Sequence, residues 1–323
     1  MRRQLTEWVT HIHIGAFGKP CVHSLTNCPT NWFLFAIENE PFRDYPLIMK
    51  STEPLRPRML ALDLDDTLLH SDLSISYRAR NAIKRTENEG VTIVLASGRI
   101  PLAMEQYVKL LGLNKRKGFL ICNNGATILE SDTGEIIHEA RIDKKIALAV
   151  CDLADAEGFP MQMYEDDIMY VSRKNEYSSY DEKITGLRQV VVENFRDMVS
   201  GGCYKLIIPG DPKILRDVET LIRSFLGNDA TIFTSKPYYL EILPKQTNKG
   251  TSLAKVAEIT GIKPEEVLAI GDSMNDEAML RWAGIGVAMA NSDDRIKSIA
   301  NFVTDHTNDD DGVAEVIEKF FLA

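Results

Sequence analysis

From Met59 onward the chain alternates between short, almost uninterrupted apolar runs and longer stretches whose apolar residues recur every three or four positions. "MLALDL" (59–64), "VTIVLAS" (91–97) and "GFLICNNGA" (118–126) are of the first kind. "ISYRARNAIKRTENEG" (75–90) and "PLAMEQYVKLLG" (101–112) are of the second. Apolar runs of this length predict strands buried on both faces, and the helical spacing predicts amphipathic helices. Gly90 and Gly112 read as helix stops and Pro101 as a first-turn residue. Strand–helix–strand–helix order with such strands predicts an α/β fold, a Rossmann-like doubly wound parallel sheet with helices on both faces.

The texture changes between Thr133 and Leu243. "DIMYVS" (167–172), "CYKLIIPG" (203–210), "ATIFTS" (230–235) and "YYLEILP" (238–244) alternate more and are rich in Tyr, Thr and Ile, a half-buried strand pattern. Helical stretches at 145–158 and 212–227 interleave with them. This predicts a separate α/β module inserted into the first. The parallel-sheet pattern resumes with a helix from Lys249, strands at 265–273, 285–290 and 301–305, and a helix at 275–284 between them. The expected organisation is an N-terminal extension over 1–56, a first core part over 57–132, an inserted module over 133–243 and a second core part over 244–323.

The first 48 residues stand apart, holding His11, His13, His23, Trp8 and Trp32 without clear periodicity. Translation from Met49 or Met59 is expected, which would leave them as an upstream extension outside the native fold. A metal site from His11, His13, Cys21, His23 and Cys28 is set aside, because the spacing matches no zinc pattern. A formal net charge of -10 argues against a nucleic-acid polymer as partner. Five scattered cysteines without a CxxC pair fit a reducing compartment. With no apolar run of membrane length and no secretory h-region, the reading is a cytoplasmic protein that makes no membrane contact.

The candidate chemistry lies where strands end. "LDLDDT" (62–67) and "AIGDSMNDEAM" (269–279) both close a buried strand on carboxylates, which repel one another and are costly to desolvate. Asp66 or Asp276 alone reads equally well as a helix cap. Asp63, Asp65, Asp272 and Asp276 together, on adjoining strand ends, make an oxygen-rich cluster without thiol or imidazole, the donor set that Mg²⁺ prefers. Ser97 and Gly98 follow a second strand, with Gly98 permitting close backbone approach to a ligand. Lys249 opens a helix whose amides already favour an anion. A bound metal beside such groups suits phosphoryl transfer.

With "DLDDT" (63–67), "SGR" (97–99), Lys249–Gly250 and "GDSMND" (271–276) in this order, residues 57–323 resemble the haloacid dehalogenase superfamily of phosphohydrolases. Within it they resemble the Cof-type group, which carries a large inserted α/β cap; "NNGA" (123–126) and the "FVT…DGVA" tail (302–314) look typical of it. The resemblance implies a phosphatase for small phosphate esters that works through an aspartyl-phosphate. It implies Asp63 as nucleophile and Asp65 as acid and base. Mg²⁺ would be held by Asp63, the main-chain carbonyl of Asp65, and Asp272. Ser97, Gly98, Lys249 and Asn275 would hold the phosphoryl oxygens, with Thr67 and Asp276 in support. Asn123, Tyr164 and Glu165 are candidate substrate contacts, and Arg99 and Arg173 possible charge contacts. An acid at position 65 favours hydrolysis, or mutase chemistry, over a long-lived phosphoenzyme; a non-catalytic ligand sensor is opposed by the complete residue set. Hexose phosphates, pyridoxal phosphate, nucleotides and FMN are all compatible substrates, and oligomeric state is not legible in the sequence.

Overall fold

The computed structural model describes residues 56–322, and the expectations for the N-terminal extension and its histidines lie outside them. The chain enters β1 (Met59–Asp63), then α1 (Tyr77–Asn88), β2 (Thr92–Ala96), α2 (Pro101–Leu111) and β3 (Phe119–Cys122). A hairpin, β4 (Thr127–Glu130) and β5 (Ile136–Glu139), follows. After α3 (Lys144–Glu157) come β6 (Gln162–Glu165), β7 (Ile168–Val171), α4 (Glu176–Thr185), β8 (Arg188–Val191), the one-turn α5 (Phe195–Met198) and β9 (Leu206–Pro209). Next are α6 (Pro212–Leu226), β10 (Ala230–Lys236), β11 (Tyr239–Pro244), α7 (Lys249–Thr260) and β12 (Val267–Gly271). The chain closes with α8 (Glu277–Trp282), β13 (Ile285–Ala288), α9 (Asp294–Ile299), β14 (Phe302–Val303) and α10 (Gly312–Phe321).

Two sheets result. The first runs β14-β13-β12-β1-β2-β3-β4-β5 and the second β10-β11-β9-β6-β7-β8. In the first, every pair from β14 to β3 is parallel. Leu60, Leu62, Ile93 and Leu95 pack toward α1, α2 and α10, whereas Met59, Ala61, Val94 and Ala96 pack toward α7 and α8. Burial on both faces is why these strands read as continuous apolar runs. The sheet is not parallel throughout: β4 and β5 are antiparallel additions at one edge. Their turn contains Gly134 at φ +72°, and β5 starts beyond residue 133, so the hairpin crosses the boundary drawn from composition.

The second sheet has one face covered by α3 and α6 and the other covered only in part, by α4. Leu206, Ile208, Leu240, Ile242 and Met163 pack with α3 and α6, while the alternate residues Lys205, Ile207, Tyr239, Glu241 and Tyr164 turn the other way. That second face looks onto the carboxyl ends of the first sheet. Lys236 reaches Asp66 (2.6 Å), Asn124 donates to Glu241 (2.9 Å) and Lys205 donates to the carbonyl of Gly98 (3.1 Å) across the gap. Among the described residues no helix is long and apolar enough to cross a membrane.

Candidate active site

Strand order places the site. Parallel β12, β1 and β2 are neighbours, and the chain leaves β1 in one direction across the sheet and reaches β12 on the other side. Ligands bind at such a switch point, outside the carboxyl ends of the strands. Asp63 ends β1, Ser97–Gly98–Arg99 follow β2, and Asp272 follows β12. Beyond Asp63 the chain turns tightly through Leu64–Leu68, with Asp66 in the left-handed region (φ 59°), a conformation Asp tolerates better than most residues.

Lys249 is the first residue of α7 and fully buried. Asn248 caps that helix by accepting from the amide of Thr251 (2.8 Å), which fixes where the lysine emerges. Its Nζ lies 2.5 Å from Asp63 and 2.7 Å from Asp276, both also buried. Burial works against its charge, but the two carboxylates outweigh that and raise its pKa. Asp276 spends its other oxygen on the amides of Asp272 (3.1 Å) and Ser273 (3.2 Å), so both its oxygens are committed.

The carboxylates of Asp63, Asp272 and Asp276 lie within 4.8 Å of one another. Burial, then the Asp276 charge, pushes the Asp63 carboxyl up to about 7. Burial, then the Asp63 charge, pushes Asp272 up to about 9. Asp272 accepts only a 3.2 Å bond from Thr67 on one oxygen. Among the described residues, one oxygen each of Asp63 and Asp272 has no protein partner. Two open hard donors with an excess of buried negative charge fit a divalent cation such as Mg²⁺. Asp276, by contrast, is saturated by Lys249 and two amides.

Asp65 turns away from that cluster. Its carboxylate forms a two-point pair with Arg99 (2.5 and 3.0 Å), a buried guanidinium that also lies over the Tyr107 ring. Burial opposes ionisation of Asp65, but the Arg99 bond and charge outweigh it and hold the carboxyl below its usual range. Ser97 is buried, its Oγ accepting from the amide of Arg99 (3.2 Å). Asn275 donates to Asn124 (3.0 Å) and accepts from Ser273 Oγ (2.5 Å).

A cavity of about 120 Å³ opens between the sheets, and Asp63, Asp65, Gly98, Arg99 and Asn275 all border it. Tyr164 borders it too. Other sequence candidates do not. Glu165, one residue on in the same strand, points the opposite way and pairs with Arg141 (3.3 Å). Asn123 turns inward, donating to Thr127 (3.3 Å), and it is Asn124 that lines the cavity. Arg173 is exposed and outside it. Sequence reasoning missed Asn124, Asp181, Lys205, Lys236 and Glu241, which form much of the remaining wall. A signal existed for two of them: Lys205 and Glu241 interrupt otherwise apolar strands in "YKLII" and "YLEIL".

A Rossmann-like core whose first strand delivers a buried carboxylate onto a buried lysine, beside a second carboxylate cluster, defines an α/β enzyme with a charged hydrolytic centre. Residues 60–317 match the haloacid dehalogenase-like hydrolase family. The chain belongs to that family, in its Cof-type group, and is a phosphoric monoester hydrolase. It is 31% identical over 269 residues to 5-amino-6-(5-phospho-D-ribitylamino)uracil phosphatase YcsE of Bacillus subtilis, covering 82% of this chain and 96% of that protein. It is 28% identical over 288 residues to phosphatase YwpJ of the same organism (81% and 99% covered). A crystal structure of a haloacid dehalogenase-like hydrolase from Bacteroides thetaiotaomicron superposes with a TM-score of 0.75 at 31% identity, covering 82% of this chain and all of that one.

Proposed function

We propose that the protein is a Mg²⁺-dependent phosphatase of small phosphate esters that works through an aspartyl-phosphate on Asp63. The observation that carries this reading is the buried Asp63–Lys249–Asp276 chain at the end of β1, at the mouth of a cavity of small-molecule size. Asp63 and Asp272, with the main-chain carbonyl of Asp65, would hold the metal. Bound there, Mg²⁺ would neutralise the repulsion between a phosphate dianion and the anionic nucleophile.

The protein's own groups do the rest. An Asp63 oxygen attacks phosphorus, and the bond to the leaving oxygen breaks as that oxygen takes a proton from Asp65. Asp65 then removes a proton from water, which attacks the same phosphorus and releases inorganic phosphate with the Asp63 carboxylate restored. Lys249, Asn275 and the Ser97–Gly98 turn steady the phosphoryl oxygens. Arg99 holds Asp65 ionised in the resting site, so this pair must part before Asp65 can donate. The second sheet acts as a cap, spanning about 140–244, that excludes water and selects the leaving group. A small phosphate ester as substrate agrees with the phosphorylated ribityl compound in the name of one relative.

The test is phosphate release from p-nitrophenyl phosphate and a panel of phosphorylated metabolites, with Mg²⁺, with EDTA, and with Asp63→Asn. Turnover that needs Mg²⁺ and disappears in the variant is expected. A folded wild type that hydrolyses none of them, or an Asp63→Asn variant with undiminished turnover, contradicts the reading.

A further inference from the structure

The wall of the cavity built by the second sheet and α4 carries a second polar cluster. Glu241, Lys205 and Asp181 are each at least nine-tenths buried. Glu241 is fully engaged: one oxygen accepts from Ser235 (2.5 Å), the other from Asn124 (2.9 Å) and Lys205 (3.2 Å). Asp181, on α4, is not. The amide of Gln162 and the hydroxyl of Tyr164 both donate to the same oxygen, Oδ2. Among the described residues Oδ1 has no partner, and Asp181 lines the cavity.

A buried carboxylate with an open oxygen calls for a donor. Water can serve until a ligand group replaces it. Charge narrows the choice of group. Among the described residues, the cation beside Asp181 and Glu241 is Lys205, already bound to Glu241 and to the carbonyl of Gly98, while the cavity's other cations, Arg99 and Lys236, are paired with Asp65 and Asp66. A second phosphate or a carboxylate brought to this wall would meet net negative charge, whereas a hydroxyl or an ammonium would complete Asp181. Size narrows it again. A cavity of about 120 Å³ suits a small phosphate ester rather than a polymer.

Building on the phosphatase reading above, we infer that Asp181 is a specificity-determining residue. The enzyme prefers phosphate monoesters whose leaving group offers Asp181 a hydroxyl or ammonium donor and carries no second anion. Tyr164 and Gln162 position it by occupying Oδ2, which leaves Oδ1 for the ligand.

The experiment compares kcat/KM for glucose 6-phosphate, glucosamine 6-phosphate and 6-phosphogluconate in wild type and Asp181→Asn. These esters are close in size and differ in carrying only hydroxyls, an ammonium or a carboxylate. In wild type the first two should exceed the carboxylate ester by about tenfold or more, a factor that corresponds to ~1.4 kcal/mol. In Asp181→Asn, which keeps the shape and removes the charge, the ammonium-to-carboxylate ratio should fall by about tenfold, mostly through KM. An active variant with the wild-type ratio would make Asp181 a purely structural residue and overturn the inference alone. A wild type that handles the carboxylate ester as well as the others would also overturn it, whether or not the variant folds. Absence of turnover on all esters, p-nitrophenyl phosphate included, would overturn the phosphatase reading with it.

Discussion

Replacing Lys249 with Met tests the electrostatic design of the site through stability rather than rate. The ammonium is fully buried and is the shared counter-charge of Asp63 and Asp276, at 2.5 and 2.7 Å. Met restores most of the volume but leaves two buried carboxylates facing one another. Removing one partner of a buried pair costs about 3–5 kcal/mol. Asp276 keeps its two amide bonds, so its hydrogen bonding is only partly lost. For a protein of this size each kcal/mol lowers Tm by roughly 2–4 °C, so a drop on the order of 6–20 °C is expected. The double variant Lys249→Met/Asp276→Asn should recover part of it, since the amide oxygen of Asn can still accept from the backbone while one uncompensated charge is gone.

The sign of the pH dependence is fixed by the same argument. Without the lysine, the Asp63 carboxyl, already pushed up to about 7, favours its neutral form in the folded state still more, so its folded pKa rises further above the ordinary 3.8. A raised carboxyl stabilises fully below its unfolded value, and that stability is lost as pH rises through the folded value. The deficit of Lys249→Met should therefore be larger near about pH 8 than near about pH 6. Urea unfolding followed by circular dichroism in EDTA at the two pH values measures it. A loss under about 1 kcal/mol at the higher pH, the size of an exposed pair, or a deficit that shrinks as pH rises, would refute the reasoning.

Metal removal from the wild type should show a milder version of this behaviour. With Asp63 at about 7 and Asp272 at about 9, both above the ordinary 3.8, metal-free protein should lose stability as pH rises from about 4 up through those values. The slope should be up to about 1.4 kcal/mol per pH unit for each proton released, and saturating Mg²⁺ should flatten it; a flat metal-free profile would contradict the assignment. Gly250→Ala should lower Tm although alanine is the better helix former, because its Cβ would lie 2.5 Å from the backbone of Ala278 and push α7 off α8. Overpacking of this kind costs about 1–3 kcal/mol, and an unchanged or raised Tm would show that the two helices can separate freely. Lys236→Ala removes a half-exposed pair with Asp66, worth about 0–1 kcal/mol, so Tm should hold within about 2 °C. Turnover of a small ester should nonetheless fall a few-fold if this contact helps close the second sheet over the site, and kinetics identical to wild type would remove it from that role.

The asymmetry between what the sequence disclosed and what it did not has a physical origin. The first sheet was legible because strands buried on both faces and helices with one apolar stripe have different periods, and because its strands end in clustered carboxylates that call for a positive partner. Asp63, Ser97, Lys249 and Asp272 are each marked by neighbours in the chain. The edge hairpin was divided because β4 and β5 are four residues each, too short for alternation to assign them to either sheet. The far wall of the cavity was hidden for a different reason. It is built from alternate residues of three strands and a helix, and its members meet only after folding. Alternation also explains the near misses. Tyr164 and Glu165 are equally plausible as letters, yet one pleat sends the first to the cavity and the second to Arg141. Asn123 and Asn124 both adopt left-handed backbone, and that turn carries the second, not the first, to Glu241 and Asn275. A nucleophile's position can thus be local information, while a specificity wall is a property of register. Charged residues inside apolar strands, as at Lys205 and Glu241, are where register leaves its trace in sequence: burying a charge is costly enough that such a residue must have a partner, and here the partners border the space a substrate would fill.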